Sequence, residues 1–192
     1  MCGRYVLYTS DEIEEINAII QEVSNKHHIQ LKKGDIYPTN TAPVYAPCPD
    51  HNGMSLELMK WGYEKHFKKK TLLINARSET VLEKTTFKND FLERRCLIPA
   101  AGFYEWNAEK EKFMFAGDSH LIYLGGFYHK DKDRQEDFVI MTKSPVDPVA
   151  EIHNRMPVII PKANASDWLY NTDDAIRLMR SDLVNLKRER IS

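Results

Sequence analysis

The sequence predicts an α+β fold. We expect a single domain whose mainly antiparallel β-sheet curls into a barrel-like core, with a few peripheral helices. Three observations lead there. Short strand-like apolar runs recur at close spacing through the middle of the chain. Helical periodicity is confined to one segment near the start and a few short ones later. No repeat, low-complexity tract or linker divides the 192 residues, which suffice for one sizeable core. Many short strands with few helices mark an α+β domain of this kind.

Each element has a local reason. Residues 4–8 read as a short strand. Thr9 and Glu12 have the spacing of a capping box, and Ile13, Ile16, Ile19, Ile20 and Val23 share one face of the helix that follows. That helix frays by Asn25. Pro38, Pro43, Pro47 and Pro49 make residues 35–49 a surface loop, because proline interrupts helices and central strands alike. His51-Asn52-Gly53 turns into a strand over residues 54–61. A basic run follows, Lys65-His66-Phe67-Lys68-Lys69-Lys70. Residues 71–78 form a strand that delivers Asn75 and Arg77 to one side, since side chains two apart on extended backbone share a face. Ser78-Glu79 caps a short helical stretch. A second helix, over residues 86–94, turns Phe87, Phe91 and Leu92 inward.

Further strands are expected at residues 96–99, 102–106, 113–115, 121–129 and 138–142, the fourth broken by Gly125-Gly126. A loop or short helix leads to His153, and residues 158–161 make the last strand. Ser166 and Thr172 cap two short helices. The charged tail, Lys187-Arg188-Glu189-Arg190, is expected to be exposed.

Composition excludes several classes. Hydrophobic content of 42% and charged content of 29% are those of a soluble globular protein. No apolar run approaches the roughly 20 residues of a membrane helix. Asp11 and Glu12 precede any apolar core region, so no signal peptide is read and a cytoplasmic location is expected. The three cysteines are far apart and odd in number, which argues against a disulfide framework and a zinc ribbon. No metal or cofactor is expected. The net charge of −1 gives no long-range pull on nucleic acid. A local patch must hold any anionic partner. The basic run around Phe67 is one such patch, since an aromatic among lysines stacks a base while the lysines neutralise phosphates. Its plainer reading is a solvated loop.

The start of the chain carries the most distinctive chemistry. Initiator methionine is normally trimmed before a small residue, and trimming exposes Cys2 with its α-amine beside its thiol. Reference pKa values of roughly 7.7–8.0 and about 8.5 let both groups act as nucleophiles near neutrality. A 1,2-aminothiol condenses with an aldehyde, through an imine, to a thiazolidine. Taken alone, Cys2 reads equally as a small apolar strand residue. Glu105, between Tyr104 and Trp106, is either solvated or a buried acid with a raised pKa. His153 reads alone as a structural histidine. Arg4, Arg77 and Arg155 could each clamp a phosphate.

Together these residues form a pattern. Met1-Cys2-Gly3-Arg4-Tyr5, Asn75-Ala76-Arg77-Ser78-Glu79, Gly102-Phe103-Tyr104-Glu105-Trp106 and His153-Asn154-Arg155-Met156-Pro157 resemble, in order and spacing, the motifs of the SRAP family of abasic-site processing proteins. Trp61-Gly62-Tyr63 and Arg95-Cys96-Leu97-Ile98-Pro99 match too, so the resemblance covers about residues 1–161. It implies one SRAP-type domain over residues 1–192, a monomer without a cofactor, acting on single-stranded DNA that contains abasic sites. It implies that Cys2 captures the ring-opened sugar aldehyde as a covalent thiazolidine, protecting the lesion. It implies Glu105 as acid/base, His153 as a second proton-handling group and Asn75 as a hydrogen-bond donor at the reacting centre. Arg4, Arg77 and Arg155 resemble its phosphate-binding arginines, with Trp106, Thr142, Pro43 and Phe67 along the DNA path.

The sequence departs from the pattern in two places. The family carries a tryptophan before Asn75, where this chain has Phe67. A Pro-Val-Ser and Asn-containing segment found beyond the last helix in many relatives is not found before Ser192. Two other functions fit the same residues. One is a cysteine peptidase or amidohydrolase using Cys2, Glu105 and His153, including cleavage of its own N-terminal peptide bond. The other is a non-covalent single-strand binder using residues 65–70.

Overall fold

The computed structural model describes residues 2–7, 14–28, 31, 34–48, 53–66, 70–119, 121–130 and 136–191. In chain order, β1 (Tyr5–Val6) leads to the first helix, α1 (Glu14–His27), and then to β2 (Asp35–Ile36), β3 (Thr41–Pro47) and β4 (Met54–Trp61). β5 (Tyr63–His66) and β6 (Lys70–Leu73) form a hairpin, followed by β7 (Asn75–Arg77) and α2 (Lys88–Glu93). The middle of the chain is β8 (Arg95–Ala100), β9 (Gly102–Trp106), β10 (Lys112–Gly117), β11 (Ile122–His129) and β12 (Asp137–Lys143). It closes with β13 (Met156–Pro157), β14 (Ile159–Ile160), α3 (Ala165–Tyr170), α4 (Thr172–Leu178) and β15 (Leu186–Ile191).

The expected curled sheet is a closed ring. Its strands run in the order β12-β4-β3-β8-β11, and β11 pairs back onto β12. β4 and β7 both run parallel to β12, and the other ring pairs are antiparallel. A second sheet, β15-β10-β9-β1-β2, packs beside the ring. Tyr5 of β1 meets Trp61 of β4 with ring centroids 5.4 Å apart, and Trp61 stacks on Phe138 of β12 at 6.3 Å. This is one α+β domain with few helices. α1 turns Ile16, Ile19 and Val23 into the core, each contributing roughly 1.5–3 kcal/mol by leaving water. The capping box at Thr9 and Glu12, and Ile13, lie outside the described residues.

Several local expectations are corrected. The proline-rich loop is largely strand: β3 holds Pro43 and Pro47 and is paired with β4 along its length. On its other side β3 meets β8 at one position, Tyr45 opposite Leu97. Most of that side has no ladder for a proline to interrupt, so the strand tolerates its missing donors. Gly125 and Gly126 do not break β11. A Cβ at Gly126 would lie 2.5 Å from the Val139 carbonyl oxygen, and one at Gly125 3.0 Å from the Trp168 ring. The glycines allow close approach by β12 and α3 rather than a turn. Residues 78–83 are turns, not a helix. Asn164 precedes α3 without a side-chain cap, and Asn171 caps α4 by accepting the Asp174 N–H at 3.1 Å. The charged tail is β15, an exposed strand on the edge of the second sheet.

Arg95 fixes the helices to the ring without a carboxylate. It is 3% exposed and donates to the carbonyls of Phe91, Leu92, Trp168 and Leu169. These are groups near the C-terminal ends of α2 and α3, where helix carbonyls lack intrahelical partners.

Candidate active site around Cys2

The register of the second sheet brings the start of the chain to Glu105. Tyr5 lies opposite Phe103 and Val6 opposite Gly102, and the Tyr104 N–H donates to the Arg4 carbonyl at 3.0 Å. The same antiparallel register sets residue 3 opposite residue 105. Tyr5, Phe103, Glu105 and Phe113 thus share the inner face. Glu105 is therefore a buried acid and not the solvated one its sequence also allowed; it is 3% exposed. Burial raises its carboxyl to about 7, since a low-dielectric surround disfavours the charged form.

Cys2 is fully buried. Burial first, and the nearby Glu105 charge second, push its thiol up, while a hydrogen bond from the Arg4 backbone N–H favours the thiolate. The thiol is therefore held protonated at neutral pH and needs a base to react. Asn75, at the start of β7, donates from Nδ2 to the Cys2 carbonyl oxygen at 2.9 Å. Its Oδ1 is buried and has no hydrogen-bond partner among the described residues. Trp61 ties the same segment down by donating from Nε1 to the Ile74 carbonyl at 3.0 Å.

His153 completes the group from the other side. Its Nδ1 lies 3.7 Å from Glu105 Oε2. The loop before it is wound by hydrogen bonds from the Ile152 and His153 N–H groups to the Val149 carbonyl. The Arg155 N–H approaches the same Nδ1 at 3.1 Å. Burial lowers the His153 pKa. The Arg155 carbonyl oxygen lies 3.2 Å from the same Nδ1, so this nitrogen can either accept the Arg155 N–H or donate to the Arg155 carbonyl, according to its protonation.

The arginines separate into three kinds. Arg77 is exposed, with no ion pair among the described residues. Arg155 grips Glu79 with both terminal nitrogens, at 2.6 and 3.0 Å, and donates to the Thr142 carbonyl at 2.7 Å. That bidentate grip lowers the Glu79 carboxyl to about 2. Arg4 is half-buried, pairs with Asp35 at 3.3 Å, and lies between the rings of Tyr37 and Trp106. Sequence reasoning missed Asp35, and it read Glu79 as part of a motif and a helix cap without seeing its pairing with Arg155. They sit 31 and 76 residues from their arginines, and only the fold makes them neighbours.

Thr142 is buried on β12 opposite Arg77. Trp106 is half-buried at the end of β9. Pro43 is buried in β3, opposite Leu58. Phe67 lies outside the described residues, as do Lys68 and Lys69. The structure thus gathers Cys2, Asn75, Glu105 and His153 into one group, with Arg4, Arg155 and Thr142 bonded to the segments that hold it.

A cysteine at the second position, close to a buried carboxyl group raised to about 7 that in turn neighbours an imidazole, is equipped for proton-coupled nucleophilic chemistry. The fold around it has solved counterparts. A protein from Bacteroides thetaiotaomicron superposes with a TM-score of 0.77 at 18% identity, covering 100% of this chain and 92% of that one. A phage-related protein from Bordetella bronchiseptica gives 0.77 at 22% identity, covering 99% and 94%. The chain belongs to the SOS response associated peptidase (SRAP) family, whose pattern it matches over residues 1–191. It is 31% identical over 218 residues to the abasic site processing protein YoqW of Bacillus subtilis, covering 96% of this chain and 94% of that protein. It is 28% identical over 179 residues to the abasic site processing protein YedK of Escherichia coli, covering 88% and 79%.

Proposed function

We propose that this protein captures abasic sites in single-stranded DNA as a covalent thiazolidine at Cys2. Removal of Met1 exposes the Cys2 amine. The amine adds to the ring-opened sugar aldehyde and loses water to form an imine. The thiol then adds across the carbon–nitrogen double bond: sulfur bonds to carbon, and the nitrogen takes up a proton. The buried carboxyl of Glu105 supports this chemistry. A group titrating near 7 can accept the thiol proton and return it within one cycle. Asn75 fixes the Cys2 backbone and so the direction of attack. His153 serves the sugar oxygens from the opposite side. Arg77 supplies a cation for a flanking phosphate.

The observation that carries the reading is that the strand register brings buried Glu105 alongside the buried Cys2 segment, which Asn75 holds by its carbonyl. A peptidase reading needs a thiolate paired with an imidazole. Here the imidazole of His153 lies 3.7 Å from the Glu105 carboxyl group, and the thiol is pushed up rather than down. The deciding experiment is a denaturing gel after incubation with uracil-containing single strands, with and without uracil removal. A slow-migrating adduct only after uracil removal is expected. An adduct that forms equally on intact strands, or none with processed protein, would overturn the reading.

A further inference from the structure

We propose that Tyr37 is a nucleobase-stacking platform, forming a subsite for a base that flanks the nucleotide held at Cys2. This rests on the reading of single-stranded DNA as substrate. It assigns a role to a residue that no sequence motif singled out.

The strand register builds the subsite. Tyr5 lies opposite Ile36 and Val6 opposite Asp35, which sets residue 4 opposite residue 37. On its other flank Arg4 neighbours Tyr104. Cross-strand neighbours share a face, so Tyr37, Arg4 and Tyr104 form a row on the outer face, with Trp106 and Lys112 alongside. The Arg4 guanidinium lies 4.5 Å from the centre of the Tyr37 ring, 5.1 Å from that of Trp106 and 6.0 Å from that of Tyr104. Lys112 Nζ is 3.8 Å from the Tyr104 ring centre. The row is a ladder of alternating aromatic and cationic groups.

Tyr37 is its open end. It is 41% exposed, and the other exposed large apolar side chains among the described residues, Met54 and Leu183, are not aromatic. With Arg4 over one side of the ring, the exposed surface belongs to the remainder. The ring is also held firmly for a surface group. The Tyr37 backbone N–H donates to Asn40 Oδ1 at 3.0 Å, its backbone carbonyl accepts the Asn40 N–H at 3.0 Å, and the ring hydroxyl donates to Asp35 at 3.3 Å. The turn between them has Pro38 followed by Thr39 at a φ of 76°. That is type II geometry, in which a β-branched residue at the third position is strained. The Thr39 N–H donates to the Trp61 carbonyl at 2.8 Å, anchoring the strained turn to the ring. Strain persists where the surroundings over-determine it, and such sites cluster at ligand clamps.

The charge suits a nucleic-acid strand. Arg4 and Lys112 flank one carboxylate, Asp35, at 3.3 and 4.0 Å, leaving a local excess of positive charge. The position suits it as well. Arg4 is two residues from Cys2, a chain distance of at most ~7 Å, or about two base steps of roughly 3.4 Å.

The test uses a single strand carrying a tetrahydrofuran abasic analogue, which has no aldehyde, so that binding is non-covalent. Tyr37→Ala should weaken binding by about ten-fold, as expected for loss of one aromatic–base stack. Tyr37→Phe and Tyr37→Trp should stay close to wild type, because they keep the ring. Removing bases one at a time on either side of the analogue should find one position where the wild type loses the same factor and Tyr37→Ala loses nothing more. Wild-type binding by Tyr37→Ala, or a loss indifferent to which base is removed, would overturn the proposal. An aldehyde-bearing strand is run in parallel on a denaturing gel. If wild-type protein forms no adduct but the base-dependent loss persists, the covalent reading fails and the stacking subsite stands. If wild-type protein binds no single strand, both fail.

Discussion

Nδ1 of His153 and Oε2 of Glu105 lie 3.7 Å apart, one on a loop and the other on a buried strand. Burial inverts their usual order on the pH scale, raising the acid to about 7 and lowering the base below its ordinary value. Glu105 can therefore change protonation during a reaction at neutral pH, beside an imidazole that burial favours in its neutral form.

The first prediction concerns stability. Glu105 titrates at about 7 in the folded protein and near 4.5 when exposed. Between these values the folded state binds more protons than the unfolded state, so stability falls as pH rises. Below about 4.5 the contribution is complete, and above about 7 it is lost. Glu105→Gln removes this dependence. Its advantage over wild type should grow across that window toward about 3 kcal/mol at most. Urea unfolding at several pH values checks this, with His153 common to both proteins.

The second concerns the nucleophile. Cys2→Ala, or a tag that blocks the N-terminal amine, should abolish the denaturation-resistant adduct. Binding to a strand with a tetrahydrofuran analogue should change little. A denaturing gel beside a binding isotherm measures both, and an undiminished adduct in Cys2→Ala would refute the role.

The third concerns Asn75. Its amide reaches the Cys2 carbonyl, not the thiol. Asn75→Ala should slow adduct formation at saturating DNA by about ten- to a hundred-fold, the scale of a small misplacement of reacting groups. Affinity should change far less. A single-turnover time course decides, and an unchanged rate would remove Asn75 from the positioning role.

The fourth separates two arginines that look alike in sequence. Arg77→Ala should lower the salt slope of DNA binding by about one contact, with stability within about 0.5 kcal/mol of wild type. Arg155→Ala removes the bidentate donor to Glu79 and one of the donors to the Thr142 carbonyl, which keeps the Ser78 N–H at 2.8 Å. It should destabilise the fold by about 1–3 kcal/mol. Salt-dependent isotherms and urea unfolding of both variants give the comparison.

What the sequence revealed was local. β4 and β9 lie where alternation and turn residues placed them, and the buried face of α1 follows its isoleucine spacing. What it concealed was pairing. Pro43 and Pro47 looked incompatible with a central strand because nothing local says that β3 is sparsely paired on one side. The glycines of β11 looked like a break because the Val139 carbonyl and the Trp168 ring that require them come from distant segments. The tail looked merely charged because its partner, β10, lies about 75 residues upstream by the register rule of antiparallel pairing. The site followed the same division. Cys2, Asn75, Glu105 and His153 were legible as motif residues, whereas the pairing of Asp35 with Arg4 and of Glu79 with Arg155 was not.

β1 is short but has a ladder on each side, with β2 on one flank and β9 on the other. A DNA strand joined to Cys2 would transmit mechanical load into the protein three residues before that strand. Pulling by a translocating motor would meet the middle of a sheet instead of a frayed end. Rupture would require two ladders to give way together, along with the Asn75 bond to the Cys2 carbonyl. Clearing such an adduct by force would therefore begin with unfolding the sheet.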